Sequence, residues 1–161
     1  MAVKAVSFGI DELAANFEKA ERAAQGIAKA SLYEGAKVMA DAMRGGLDSI
    51  ATEEWHFARG GEKRLPSPEE KAAVQSAEFG VARHQGSGAE FNTVVGITGT
   101  GYVELNGKDV PAAMLLRSIQ SGTSFMTAQP VVRRAINRAK GAAAQAIASE
   151  AEARIQKIFK D

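Results

Sequence analysis

From Val131 to Phe159 the apolar residues Val132, Ile136, Ala139, Ala143, Ile147, Ala151, Ile155 and Ile158 recur every three or four positions. That spacing places them along one side of a single long helix, because an α-helix turns once in about 3.6 residues. Pro130 suits the opening of such a helix, since its fixed φ is already helical and its missing N–H costs nothing there. No other stripe in the chain is as coherent.

The N-terminal stretch is helical text as well. Residues 10–43 are rich in Ala, Glu and Lys, strong helix formers, and Asp11 and Glu12 sit where a helix dipole favours negative charge. Ile10, Leu13 and Phe17 follow the i, i+3, i+7 spacing of one buried face. Ile27, Ser31, Glu34 and Val38 mark a second stripe, with Gly26 read as a bend between two helices. Gly35 reads as a close packing contact, and Gly45-Gly46 as the stop. Ahead of this, Val3–Phe8 reads as a short strand ended by Gly9.

These helices have little to bury. Of the 161 residues 31 are alanine, and Val, Ile, Leu and Phe together number 34. That sits just above the level of roughly 20% at which chains stop folding, and net charge is only +1, so folding is expected. The core is thin, however, and a thin core in a small domain is often completed by a neighbouring subunit. Oligomerisation is therefore expected on physical grounds, a modestly stable monomer being the alternative.

The middle of the chain is less regular. Residues 48–68 hold Trp55, His56, Gly60-Gly61 and Pro66-Ser67-Pro68, and read as a flexible arm or loop. Ser67 can cap a short helix running to about Ala77, with Pro68 first and Glu69 and Glu70 in its opening turn. Phe91–Ile97 is β-branched and apolar, and Tyr102–Leu105 is read as its partner strand. Asn106-Gly107 is a hairpin turn signal. Pro111 opens a helix whose buried face is Met114, Leu115 and Ile119, and Gly122 ends it. The predicted fold class is α+β: one domain over 1–161, N-terminal helices and a long C-terminal helix packed on a small, mainly antiparallel β-sheet.

Catalytic signatures are missing from the sequence. Gly101 and Gly107 enclose five residues and Asp109 follows Lys108, so the phosphate-loop pattern fails. His56 and His84 have no partners at metal-ligand spacing, and there is no Cys. Acidic pairs such as Glu53-Glu54 read as solvated faces. No apolar run reaches the roughly 18 residues of a membrane span. The expectations are no enzyme, no cofactor, no metal and no membrane, in a chain acting in a reducing cytoplasm or in something assembled there. One charge feature stands out: Arg133, Arg134, Arg138 and Lys140 carry no acid among them. They read as a solvated face, as partners for acids on a neighbour, or as phosphate contacts.

Residues 121–126, SGTSFM, followed by Ala128-Gln129-Pro130 and then Arg133–Ala135, resemble a signature of the minor tail or tail-completion proteins of long, non-contractile-tailed phages and prophages. Gly9-Ile10-Asp11-Glu12-Leu13 is similar to the start of that family's first helix, and Gly35-Ala36 with Val38 to its second. Leu65–Lys71, Phe79-Gly80-Val81-Ala82, Asn92-Thr93 and Val95-Gly96 are similar to its central section. Gln120 and Ser121 stand where family members often have Glu and an aromatic, and Val131 where Phe is frequent.

The resemblance implies a structural virion protein of the phage neck, assembled in the host cytoplasm. It would complete the tail and join it to the capsid connector, within a ring, commonly six-fold, around the DNA channel. Its implied partners are other copies, the head-completion or connector proteins, and the tail-terminator or tail-tube proteins. Passing DNA would be touched only non-specifically. A tail-terminator role in the same neck and a small nucleic-acid-binding module using the basic helix are the alternatives. Two sets of interface residues follow as expectations. Trp55, His56 and Phe57 are read as an aromatic anchor in the 48–68 arm, tucked onto the chain's own core in the free protein or docked into a neighbour in the virion. Gly122, Thr123, Ser124, Phe125, Met126 and Pro130 form a rigid elbow, with Phe125 and Met126 projecting to the next subunit and Arg133, Arg134, Arg138 and Lys140 aimed at the channel or an acidic partner.

Overall fold

The structure, a computed structural model, describes residues 2–54, 62–85 and 92–160, and the side chains of 2–12, 82–85 and 92 are not among what it describes. The elements run α1 (Ala2–Asp48), α2 (Pro68–Gln75), β1 (Phe79–Gln85), β2 (Asn92–Ile97), β3 (Tyr102–Leu105), β4 (Lys108–Pro111), α3 (Ala112–Ser121) and α4 (Val131–Lys160). The fold is α+β, with long helices at both ends and two antiparallel two-stranded sheets between them, on which the helices pack.

α1 and α4 are antiparallel neighbours. A Cβ on Gly46 would lie 2.9 Å from Ala135 Cβ, one on Gly35 would lie 2.5 Å from Ile147 Cγ1, and the Phe17 and Phe159 rings meet edge to face at 5.7 Å. Small residues set this close approach, as the packing reading of Gly35 expected. α1 is about 70 Å long and α4 about 45 Å, at 1.5 Å per residue. The part of α1 before Phe17 therefore runs on past the end of α4.

Four N-terminal expectations are corrected. Leu13 and Phe17, expected on a buried face, are 49% and 60% exposed, because this part of α1 lies at or beyond the end of α4. Val3–Phe8 belongs to α1 and is not a strand. A strand needs a partner for its N–H and C=O groups, whereas a helix satisfies them internally. Gly26 does not divide two helices; it lies within one continuous α1, with α4 packed on either side of it at Phe17 and at Gly35. Gly45-Gly46 does not stop α1. The helix closes at Asp48, where Lys71 Nζ donates to the Asp48 and Ile50 carbonyls at 2.8 and 2.9 Å and Ser49 Oγ donates to Gly46 O at 2.8 Å.

Ser67 caps α2 as expected. Its hydroxyl accepts from Glu70 N–H, and the Glu70 carboxylate accepts from Ser67 N–H at 2.8 Å, a reciprocal capping box. The strand pairing differs from expectation. β2 pairs with β1, which the sequence reading missed, and β3 pairs with β4. Asn106 (φ 53°) and Gly107 (φ 72°) form the turn that closes β3 on β4 locally, so β3 is not left for β2. β1 hides its strand character because Gly80 and charged Arg83 interrupt its apolar alternation and its register shifts between Val81 and Arg83. His84, expected on the surface or in a loop, lies in β1 opposite Thr93.

The core gathers where all elements meet: Leu47 and Ile50 from the end of α1, Val74, Phe79, Val103, Leu115 and Ile119 from the middle, and Met126, Val131 and Val132. Met114 is 60% exposed rather than buried, lying about 100° around α3 from Leu115. Among the described residues no helix is long and apolar enough to cross a membrane.

Candidate functional site

α3 ends at Gly122, whose φ of 72° lies in the left-handed region that only glycine enters freely. The site also lacks room for a side chain, since a Cβ there would meet Met126 O at 2.8 Å and Ala128 N at 2.9 Å. Thr123 then locks the turn. Its N–H donates to Met126 O at 3.0 Å, and its hydroxyl accepts from the N–H groups of Phe125 (3.3 Å) and Met126 (3.0 Å). Gln129 N–H donates back to Ile119 O at 2.8 Å, and α4 begins after Pro130. Residues 122–130 thus form the elbow expected between α3 and α4.

A second strand of chain clamps it. Arg64 N–H donates to Phe125 O at 2.9 Å and Thr127 N–H to Arg64 O at 2.8 Å, a one-residue parallel bridge. The Arg64 guanidinium makes two hydrogen bonds of 2.7 Å to the Glu70 carboxylate, with both side chains largely buried. That bond raises the Arg64 pKa further above its ordinary value. On the far side Gln129 exchanges two 2.8 Å hydrogen bonds with the backbone of Ala51. Glu53 closes the same region, its N–H donating to Pro66 O at 3.1 Å and its carboxylate accepting from Leu65 N–H at 2.8 Å. The two ends of the 48–68 segment are therefore hydrogen-bonded to each other and to the elbow. Trp55, His56 and Phe57, the expected anchor, lie outside the described residues.

The elbow presents its side chains unequally. Phe125 is 54% exposed, with the Arg64 guanidinium 5.9 Å from its ring centre. Ser124 is exposed beside it. Met126 is only 2% exposed and belongs to the chain's own core, so the expectation that it projects to a neighbour is corrected. The bridge to Arg64 turns it inward.

Arg133, Arg134, Arg138 and Lys140 are all exposed, and among the described residues none of them forms an ion pair. They do not make one strip. Arg134 and Arg138 line an open groove of about 560 Å³ with Gly45 and Gly46 of α1 and Ser49 just after it. Arg133 and Lys140, seven positions apart, lie on another side of α4, where Arg133 N–H reaches Gln120 Oε1 at 3.5 Å.

Comparison with protein-family models, with curated proteins and with solved structures gave no match. Among the described residues no three His, Cys, Asp or Glu side chains gather where they could hold a metal ion. What this site offers is a rigid platform with an exposed aromatic ring, a buried ion pair beneath it and unpaired guanidinium groups on the helix it aims. Such a surface suits recognition of another macromolecule. Sequence reasoning gives none of Arg64, Glu70, Glu53 and Gln129 a part in this site: it reads Glu70 only in the opening turn of α2, Gln129 only within the tail-completion signature, and Glu53, which in fact accepts from Leu65 N–H, as a solvated face. The Ser67-x-x-Glu70 spacing was a usable signal for Glu70; nothing local marks the other three, whose partners lie far along the chain.

Proposed function

We propose that this chain is a structural protein of a phage neck, completing the tail and joining it to the capsid connector as one subunit of a ring around the DNA channel. The observation that carries the reading is the elbow at 122–130. The segment that resembles the tail-completion signature is a fixed turn presenting Phe125, not an irregular loop. Exposed apolar side chains elsewhere, including Leu13 and Phe17, support a chain that is completed by neighbours. Native mass spectrometry of the purified protein, alone and mixed with tail-tube and connector proteins, tests it. Mixed complexes of defined stoichiometry support it; a chain that binds neither protein refutes it.

A second reading rests on the unpaired Arg134 and Arg138. As a small nucleic-acid-binding module the protein would bind free duplex, with affinity falling steeply as salt rises. A neck subunit has little affinity for free duplex at moderate salt, so a filter-binding salt series separates the two.

A further inference from the structure

The far half of the α1–α4 pair has two unlike grooves. One, of about 590 Å³, is lined by Phe17, Ala24, Ile147, Ala151, Ile155 and Phe159, and no charged side chain lines it. Phe17 is 60%, Ile155 41% and Phe159 39% exposed, a large apolar surface for a free chain. Its flanks are acidic. Glu21 stands four residues after Phe17 and seven before Ala28, and Glu152 stands three before Ile155 and seven before Phe159, so each shares its helix side with groove residues. Both are exposed.

The opposite groove is lined by Arg22, Arg154 and Lys157 together with Gly26, Ile27 and Ile158. Lys19 stands three and seven residues before Arg22 and Gly26 and adds to that edge. Arg22 is paired with Glu18 at 3.2 Å and Arg154 with Glu150 at 2.5 Å, while Lys19 and Lys157 form no ion pair among the described residues. The balance of this edge is positive.

We infer that these two grooves are the two halves of one self-association surface, the basic edge of one copy docking on the acidic-flanked apolar groove of the next. The inference rests on the reading of the chain as a self-associating ring subunit. Its occupant is a second copy because each edge carries the charge the other lacks. An acidic flank repels the phosphates of a nucleic acid and the acidic flank of a second apolar groove, as a basic edge repels a second basic edge, which disfavours a two-fold pairing of like faces. Alanines along the apolar groove, and Ala23 and Gly26 along the other, let a neighbouring helix approach closely. Because the faces differ, the contact is head to tail, and such contacts propagate until the rotation closes them into a ring.

Mixing two variants tests the geometry. Ile155→Lys spoils the apolar groove, and Arg22→Gln with Lys157→Glu spoils the basic edge. All three positions are at least partly exposed, so each variant keeps wild-type circular dichroism and melts within a few degrees of it. By analytical ultracentrifugation the wild type sediments as an oligomer and each variant alone as a monomer. An equimolar mixture gives dimers and nothing larger, because one sound face from each chain remains. A wild type that stays monomeric at every concentration overturns the inference, as do variants that assemble normally or a mixture that stays monomeric. A monomer that still binds connector or tail-tube protein removes this inference alone, whereas oligomers with no affinity for either leave it standing and remove the neck reading.

Discussion

Arg64 and Glu70 face each other through two parallel hydrogen bonds of 2.7 Å, and the same arginine's backbone clamps Phe125 and Thr127 of the elbow. One carboxylate therefore serves both the capping box of α2 and the platform beneath Phe125. Buried pairs are costly to break from one side, because the remaining charge stays desolvated. Arg64→Met lowers stability by about 3–5 kcal/mol in urea unfolding. Adding Glu70→Gln, which keeps the capping acceptor, recovers part of that loss; strict additivity of the two changes would show that the pair is not coupled.

Gly122 is required twice, by its φ of 72° and by the backbone atoms at 2.8 and 2.9 Å from a Cβ placed there. Gly122→Ala costs more than the roughly 1–2 kcal/mol of a left-handed residue, since backbone cannot step aside as a side chain can. Gly122→Val costs more again. A thermal melt showing Gly122→Ala within 2 °C of wild type would contradict this account of the elbow.

Two glycines of α1 respond in opposite directions. Gly26 has nothing within 4 Å of a built Cβ, so Gly26→Ala adds up to about 1 kcal/mol of helix propensity. Gly35→Ala gains the same propensity but drives a methyl to within 2.5 Å of Ile147, and it lowers stability. Ile147→Ala removes both the Cγ1 and Cδ1 atoms that the methyl meets, and costs less stability in the Gly35→Ala background than in the wild type. A destabilised Gly26→Ala would instead indicate the bend that the sequence suggested.

These two glycines also show how far the sequence could be read. Gly35 was legible because a glycine inside a strong helical pattern has few other uses. Gly26 misled for the same reason, since exposed and packed glycines look alike until the facing helix is in place. The turn that opens the elbow at Gly122-Thr123, the cap at Ser67 and the turn at Asn106-Gly107 were legible because each is decided by residues within four positions. Val3–Phe8, β1 and the burial of Met126 were not, because each depends on what lies across from it. The Arg64–Glu70 pair is nearly local, yet its purpose depends on Phe125, some 60 residues away.

Phe125 and Met126 are adjacent and have opposite tasks. Met126→Ala opens the core and costs about 2–5 kcal/mol, whereas Phe125→Ser, at a 54% exposed position, changes stability by less than about 1 kcal/mol. Phe125→Ser should nonetheless lose ring formation or partner binding. A folded Phe125→Ser chain with normal partner binding would leave the elbow a connector and nothing more.

The measurement that bears most directly on the neck assignment is head–tail joining in vitro. Heads and tails of a phage encoding this chain, each made without it, are mixed with and without purified protein, and joined particles are counted by electron microscopy and as infectious titre. The account predicts that joining depends on the wild-type protein and fails with Phe125→Ser. Heads and tails that join equally well without the protein, or that never join in its presence, would contradict it.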